Sequence, residues 1–243
     1  MIYACAYCPV DKQEAYRKRG YRDSKDVKPA ERDRLFAALL EDPDVGFRSR
    51  IVSAEEISNA NYSHTENRNL NEVSYDAATG LNRDVLATGI NLAELYVDAL
   101  GNCATYRATL QRLFPGICTI VVESKADVNY PIVSVASIVA KTLRDGITKN
   151  LPFKECYITI NRNYGNGYPS TPAVKDWLMR NLDPVFGLLS AVQFNWGPVK
   201  KALADPKNGV KRVTWEHTMG TPEHKNKMQT KTKSIFETPV VTR

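Results

Sequence analysis

The stretch from Leu92 to Asp145 constrains the fold more than any other part of the chain. An apolar, β-rich run over Leu92–Val97 leads into a helical pattern over Ala104–Leu113 that Pro115-Gly116 closes. A second apolar run, Ile117–Val122, follows, and a long helical pattern extends from Ile132 to Asp145. Strands that alternate with helices in this way are joined by crossovers, which predicts an α/β sheet with helices packed on it. In open sheets of this kind, ligands bind beyond the carboxyl ends of the strands. Asp98 directly follows the first run, and Asp127 comes just after the second, beyond Lys125-Ala126, so both fall at the same edge. If the two strands are neighbours, their ends are about 5 Å apart, within reach of one shared divalent cation. Carboxylate oxygens select a hard ion, Mg²⁺ or Mn²⁺. Taken singly, each reads first as a turn or cap aspartate bonding to nearby backbone, and only the surrounding motifs favour the metal reading.

Other segments are also legible. The chain opens in a strand pattern, Ile2–Pro9, an abrupt start for a domain. Pro29–Leu40 has a first-turn proline and apolar residues at helical spacing, Val45–Val52 is β-rich, and Ser53-Ala-Glu-Glu56 has the form of a capping box. From Leu70 a longer helix places Leu70, Val73, Ala77, Leu81 and Val85 on one face and stops at Gly89. Tyr164-Gly-Asn-Gly-Tyr-Pro169 is a glycine-rich turn, Thr171-Pro172 opens a helix through Trp177 and Leu178, and a last helical piece follows Trp196.

A length of 243 residues with 43% apolar content suits one globular domain plus an appendage. The formal charge is +6, and the segment from Asp205 to Arg243 holds eight Lys/Arg against four Asp/Glu. The expected organisation is a domain over residues 1–204 and a basic tail over 205–243, exposed or ordered by a partner. The longest apolar runs, such as Pro131–Ala140, are half of what a bilayer span needs, so no membrane role is expected. The apolar opening lacks the basic flank of a signal peptide, and the chain has neither a dinucleotide-binding glycine fingerprint nor a P-loop. Five scattered cysteines point to a reducing compartment, with Cys103 and Cys118 read as buried free thiols. Cys5-x-x-Cys8 lacks the second pair that a zinc site requires and reads as strand packing.

Several short motifs occur in a telling order. Tyr96-Val-Asp98-Ala-Leu-Gly101, Lys125-Ala-Asp127-Val-Asn-Tyr-Pro131 with Ser134, Ser137 and Lys141 after it, and Gly165-Asn-Gly-Tyr-Pro169 together resemble the ribonuclease HII family. Within that family they are most similar to the catalytic subunits of eukaryotic type 2 ribonucleases H. Tyr7-Cys-Pro9, Asp23-Ser-Lys25, Asn69-Leu-Asn71, Ala78-Thr-Gly80 and Pro184-Val-Phe-Gly187 extend the likeness over Met1 to about Leu203.

The resemblance implies a ribonuclease H-like fold, a mixed central sheet flanked by helices with a helical C-terminal extension. It implies cleavage of RNA in RNA–DNA hybrids and 5′ to single ribonucleotides embedded in duplex DNA, hence roles in DNA replication and ribonucleotide excision repair. Two metal ions, Mg²⁺ or Mn²⁺, serve such chemistry, held by four acidic residues, of which Asp98 and Asp127 would be two. Ser24 and Lys25 would meet a phosphate near the scissile bond, and Tyr168 would pack on the neighbouring sugar. Asn69 and Asn71 would contact the backbone or, equally, cap the helix that begins there. Implied partners are the duplex itself and two accessory subunits, and the implied setting is intracellular, nuclear in a eukaryote. Family members also carry a strand with an Asp-Glu pair and a following Gly-Arg-Gly upstream of the segment matching Met1–Pro9, and none of this occurs in the sequence. The expectation is therefore an N-terminally incomplete enzyme, or a noncatalytic homologue that binds duplex or partner subunits without cutting.

Overall fold

The computed structural model describes residues 1–62, 68–99, 101–155, 159–168 and 171–211. The basic tail beyond residue 211 and Cys156 lie outside them. The chain divides into two compact units, Met1–Leu151 and Pro152–Arg243, with the 204/205 boundary expected from charge falling inside the second.

In the first unit the order is β1 (Ile2–Tyr7), α1 (Gln13–Lys18), α2 (Pro29–Leu40), β2 (Gly46–Ile51), α3 (Ala54–Tyr62), α4 (Leu70–Ala87), β3 (Glu94–Asp98), α5 (Cys103–Leu113), β4 (Thr119–Glu123), α6 (Ala126–Asn129) and α7 (Pro131–Lys149). β1 and β2 pair antiparallel from Ile2↔Ile51 to Tyr7↔Gly46. A Cβ at Gly46 would meet the ring of its cross-strand partner Tyr7, so the ring would have to swing aside for any larger residue. β3 and β4 pair parallel from Glu94↔Thr119 to Asp98↔Glu123, the crossover pairing that the strand and helix alternation predicts. The single central sheet expected from the resemblance is found as two separate two-stranded halves. Among the described residues no strand lies between them to join them.

Apolar periodicity explains the helices. α7 buries Pro131, Ser134, Val135, Ile138 and Val139, a stripe at i, i+3, i+4 spacing that overrides the modest helix propensity of its β-branched residues. Val135, Ile138 and Val139 join Tyr16, Leu35 and Leu39 in a core beneath β1 and β2. A second core gathers Tyr106, Leu110 and Phe114 of the α5 region with Ile120 and Val122 of β4. α4 begins with a complete capping box at Asn69 and Glu72.

Cys5 and Cys8 are free thiols, and burial pushes both pKa values up to about 11, as suits residues that pack rather than bind metal. Cys103 is only partly buried and Cys118 is exposed, which corrects the expectation that both are buried. Cys118 stands in the turn just before β4, where side chains reach solvent although their sequence neighbours are apolar. No helix among the described residues is long and apolar enough to cross a membrane.

The second unit holds α8 (Pro172–Arg180) and α9 (Gly197–Ala204), with Phe153, Tyr164 and Trp177 clustered edge to face around α8.

Candidate active site

A cleft of about 590 Å³ runs between the two half-sheets of the first unit. Residues of β1 and β3 form its sides, Leu81 and Val85 of α4 line it, and so do Ile132, Val133 and Ala136 of α7. Asp98 and Asp127 both open onto it.

Asp98 ends β3 and is exposed, and its Oδ1 accepts a hydrogen bond from the Ala126 amide at 3.2 Å. Asp127 lies one residue beyond that amide and is only 5% exposed. The turn that brings it there passes through Lys125, held in the left-handed region at φ 61°, where a non-glycine residue costs about 1–3 kcal/mol. The four-residue α6 runs straight into Pro131, so the Asp127 carbonyl faces a residue with no amide hydrogen at the position that would ordinarily bond to it. The Ser134 hydroxyl supplies the missing donor, bonding to the Asp127 carbonyl at 2.5 Å from a side chain that is 2% exposed.

Burial, and then the negative charges of Asp23 and Asp98, push the Asp127 pKa above its ordinary value, while the Lys25 ammonium pulls the other way. Desolvation and like charge both disfavour an isolated carboxylate here, which is the condition a bound cation relieves. The donor set is carboxylate oxygen throughout and fits a hard divalent ion. Among the described residues, however, no three Asp, Glu, His or Cys side chains converge as a complete metal set.

Ser24 is buried, its hydroxyl 2.8 Å from that of Ser137 on α7, and Lys25 is exposed beside it. The fold thus brings Asp98, Asp127, Ser24 and Lys25 into one neighbourhood. It also brings Asp23, whose negative charge bears on Asp127 and which the sequence motif, read for its serine and lysine, does not single out. The signal is present in the sequence, as the acid of the same Asp23-Ser-Lys25 triplet. Asn69 is occupied as a cap, its Oδ1 accepting from the amides of Asn71 and Glu72 at 2.9 and 3.1 Å. Asn71 is exposed in that first turn. Tyr168, 45% exposed, belongs to the second unit, in a glycine turn where its amide donates to Asn166 Oδ1 at 3.0 Å.

Residues 1–199 match the model of the family described as Ribonuclease HII. The chain belongs to the ribonuclease HII family. Among curated relatives of this family, a ribonuclease H2 subunit of Bos taurus is 40% identical over 231 residues, covering 94% of this chain and 76% of its own length. The corresponding subunit of Arabidopsis thaliana is 39% identical over 216 residues, covering 89% and 71%. Among solved structures, the ribonuclease H2 of Pyrococcus horikoshii superposes with a TM-score of 0.58 at 26% identity, covering 83% of this chain and 96% of that one. RNase HII in its PCNA complex from Archaeoglobus fulgidus gives a TM-score of 0.59 at 24% identity, a likeness of fold, covering 74% and 78%. The ribonuclease H-like fold that the motifs imply is therefore the fold of this chain, with the sheet divided at its centre.

Proposed function

We infer that the chain is a ribonuclease H, a metal-dependent endoribonuclease acting on RNA in RNA–DNA hybrids and on single ribonucleotides within duplex DNA. The observation that carries this reading is Asp127: a buried carboxylate, raised in pKa, set beside Asp98 at the mouth of a cleft in a ribonuclease HII fold. Asp98 and Asp127 would hold Mg²⁺ or Mn²⁺. Such ions activate the attacking water and stabilise the leaving oxygen in phosphodiester hydrolysis. Lys25 would offer a point charge to a phosphate next to the scissile bond, and buried Ser24, bonded to Ser137, fixes the turn that carries it. Tyr168, on the second unit's glycine turn, has the exposed ring that stacking against a sugar needs. The capping geometry of Asn69 favours a structural role for that side chain, leaving Asn71 as the exposed donor of the pair.

The cleft between β1 and β3 supports one further element of the reading. It is walled by two strands that each pair on one side only and is flanked by apolar residues of α4 and α7. An inserted strand with apolar residues on both faces would join the half-sheets, and the family resemblance implies that such a strand would carry an Asp-Glu pair. Relatives named as one subunit of ribonuclease H2 support accessory subunits as partners, and the free thiols of Cys5 and Cys8 support a reducing, intracellular setting, nuclear in a eukaryote.

The test is cleavage of a duplex containing one ribonucleotide, in Mg²⁺, by the chain as it stands and by a chain extended with an upstream Asp-Glu-Ala-Gly-Arg-Gly strand. The enzyme reading expects a cut 5′ to the ribonucleotide, strongest in the extended chain. Binding without cutting in both would favour a noncatalytic duplex-binding homologue.

A further inference from the structure

Arg32 of α2 is 6% exposed, and its guanidinium holds three groups at once. Nη1 donates to the Val27 carbonyl at 2.6 Å and to the Ser24 carbonyl at 3.3 Å, and Nη2 donates to Asp145 Oδ2 on α7 at 2.7 Å. The other oxygen of Asp145 accepts from Arg144 at 2.9 Å, so the carboxylate is itself fixed from two sides. The turn that Arg32 grips is also bound to α7 through Ser24 and Ser137 and braced internally by the Lys25 amide on Asp23 Oδ1 at 2.8 Å. This turn carries Asp23 and Lys25, whose charges act on Asp127 from outside the β3–β4 pair. A buried ion pair is a weak contributor to stability, since a well-packed apolar residue often does as well. What no apolar side chain can do is tie two carbonyls of a turn to an acid on a neighbouring helix.

We propose that Arg32, held by Asp145, is a positioning residue that locks the 23–27 turn onto α7 so that Lys25 and Asp23 stand at the catalytic carboxylates. The proposal rests on the duplex-cleaving reading of that site. Lysine cannot replace Arg32, because a single ammonium lacks the planar fork that spans the two carbonyls and the carboxylate.

The test uses the full chain and an RNA–DNA hybrid in EDTA, with binding followed against salt for Lys25→Ala, Arg32→Lys and the double variant, and with hydrogen exchange of the 23–27 amides measured alongside. Lys25→Ala should lower the slope of log affinity against log salt by about 0.9, one phosphate contact. Arg32→Lys should speed exchange in the turn and lower the slope by the same amount, and the double variant should bind no more weakly than Lys25→Ala. Asp145→Asn, partly exposed and still able to accept a hydrogen bond, gives a milder form of the Arg32→Lys effect should that variant fold poorly. Slope losses that add in the double variant, or unchanged exchange in the turn, would overturn the proposal. If the unaltered chain does not bind hybrid at all, the duplex reading falls and takes the positioning role with it, and faster exchange in Arg32→Lys would then mark a fold constraint only.

Discussion

Removing one hydroxyl tests whether the fold holds Asp127 as described. In Ser134→Ala the Asp127 carbonyl loses its donor, and Pro131 cannot replace it because it has no amide hydrogen. Ser134 is 2% exposed, so water reaches the orphaned carbonyl only if the α6–α7 junction opens. A buried acceptor left unpaired costs about 1–3 kcal/mol, and the change in packing adds little because Cβ remains. At about 2 kcal/mol, the expected fall in Tm for a chain of this size is roughly 4–8 °C. The assay is thermal unfolding followed by far-UV circular dichroism, with Mn²⁺ affinity measured on the folded variant. Both should fall, because a junction that relaxes to hydrate its carbonyl also moves the carboxylate. A Tm within about 1 °C of the parent chain, well below the cost of an orphaned acceptor, would refute the argument that this hydroxyl holds the metal-side turn.

Asp127 itself sets a pH dependence. Its folded pKa is raised above the unfolded value of about 3.9, so the native state binds the proton more tightly and stability falls as pH rises from that value through the folded one. Asp127→Asn lacks this loss, so the variant should gain in Tm relative to the parent as pH rises above about 4. A Tm difference that does not change with rising pH would contradict the raised pKa. Lys125→Gly relieves the left-handed strain before Asp127 and should stabilise by about 1 kcal/mol, read as a higher denaturant midpoint, whereas a lower midpoint would show that Lys125 is not strained.

The site is half legible in the sequence, for reasons the structure makes physical. Asp98 and Asp127 follow apolar runs that become β3 and β4, and parallel pairing puts both at one edge, as the strand and helix order predicts. The long α7 is equally plain, because its buried stripe repeats at helical spacing. Asp23 and Arg32 are harder to find, since what matters about them is long-range: Asp23 meets Asp127, and Arg32 meets Asp145, across more than a hundred residues of chain. Local patterns carry no record of such contacts. Cys118 fails in the opposite direction, as apolar neighbours in sequence suggest burial that a turn does not provide. The divided sheet is not legible in the sequence, because each strand by itself reads the same with or without its second neighbour.

Mn²⁺ binding to the chain, followed by electron paramagnetic resonance for the parent, Asp98→Asn and Asp127→Asn, tests most directly whether these two carboxylates share a cation. With few carboxylates present, the parent should bind weakly, with a Kd on the order of 10⁻⁴–10⁻³ M, and should release a proton on binding at pH values below the raised pKa of Asp127. Each variant should weaken binding by at least about tenfold, the lower bound seen for altering even the outer surroundings of a metal site. Equal affinity in all three chains would contradict the assignment of Asp98 and Asp127 as the metal-holding pair.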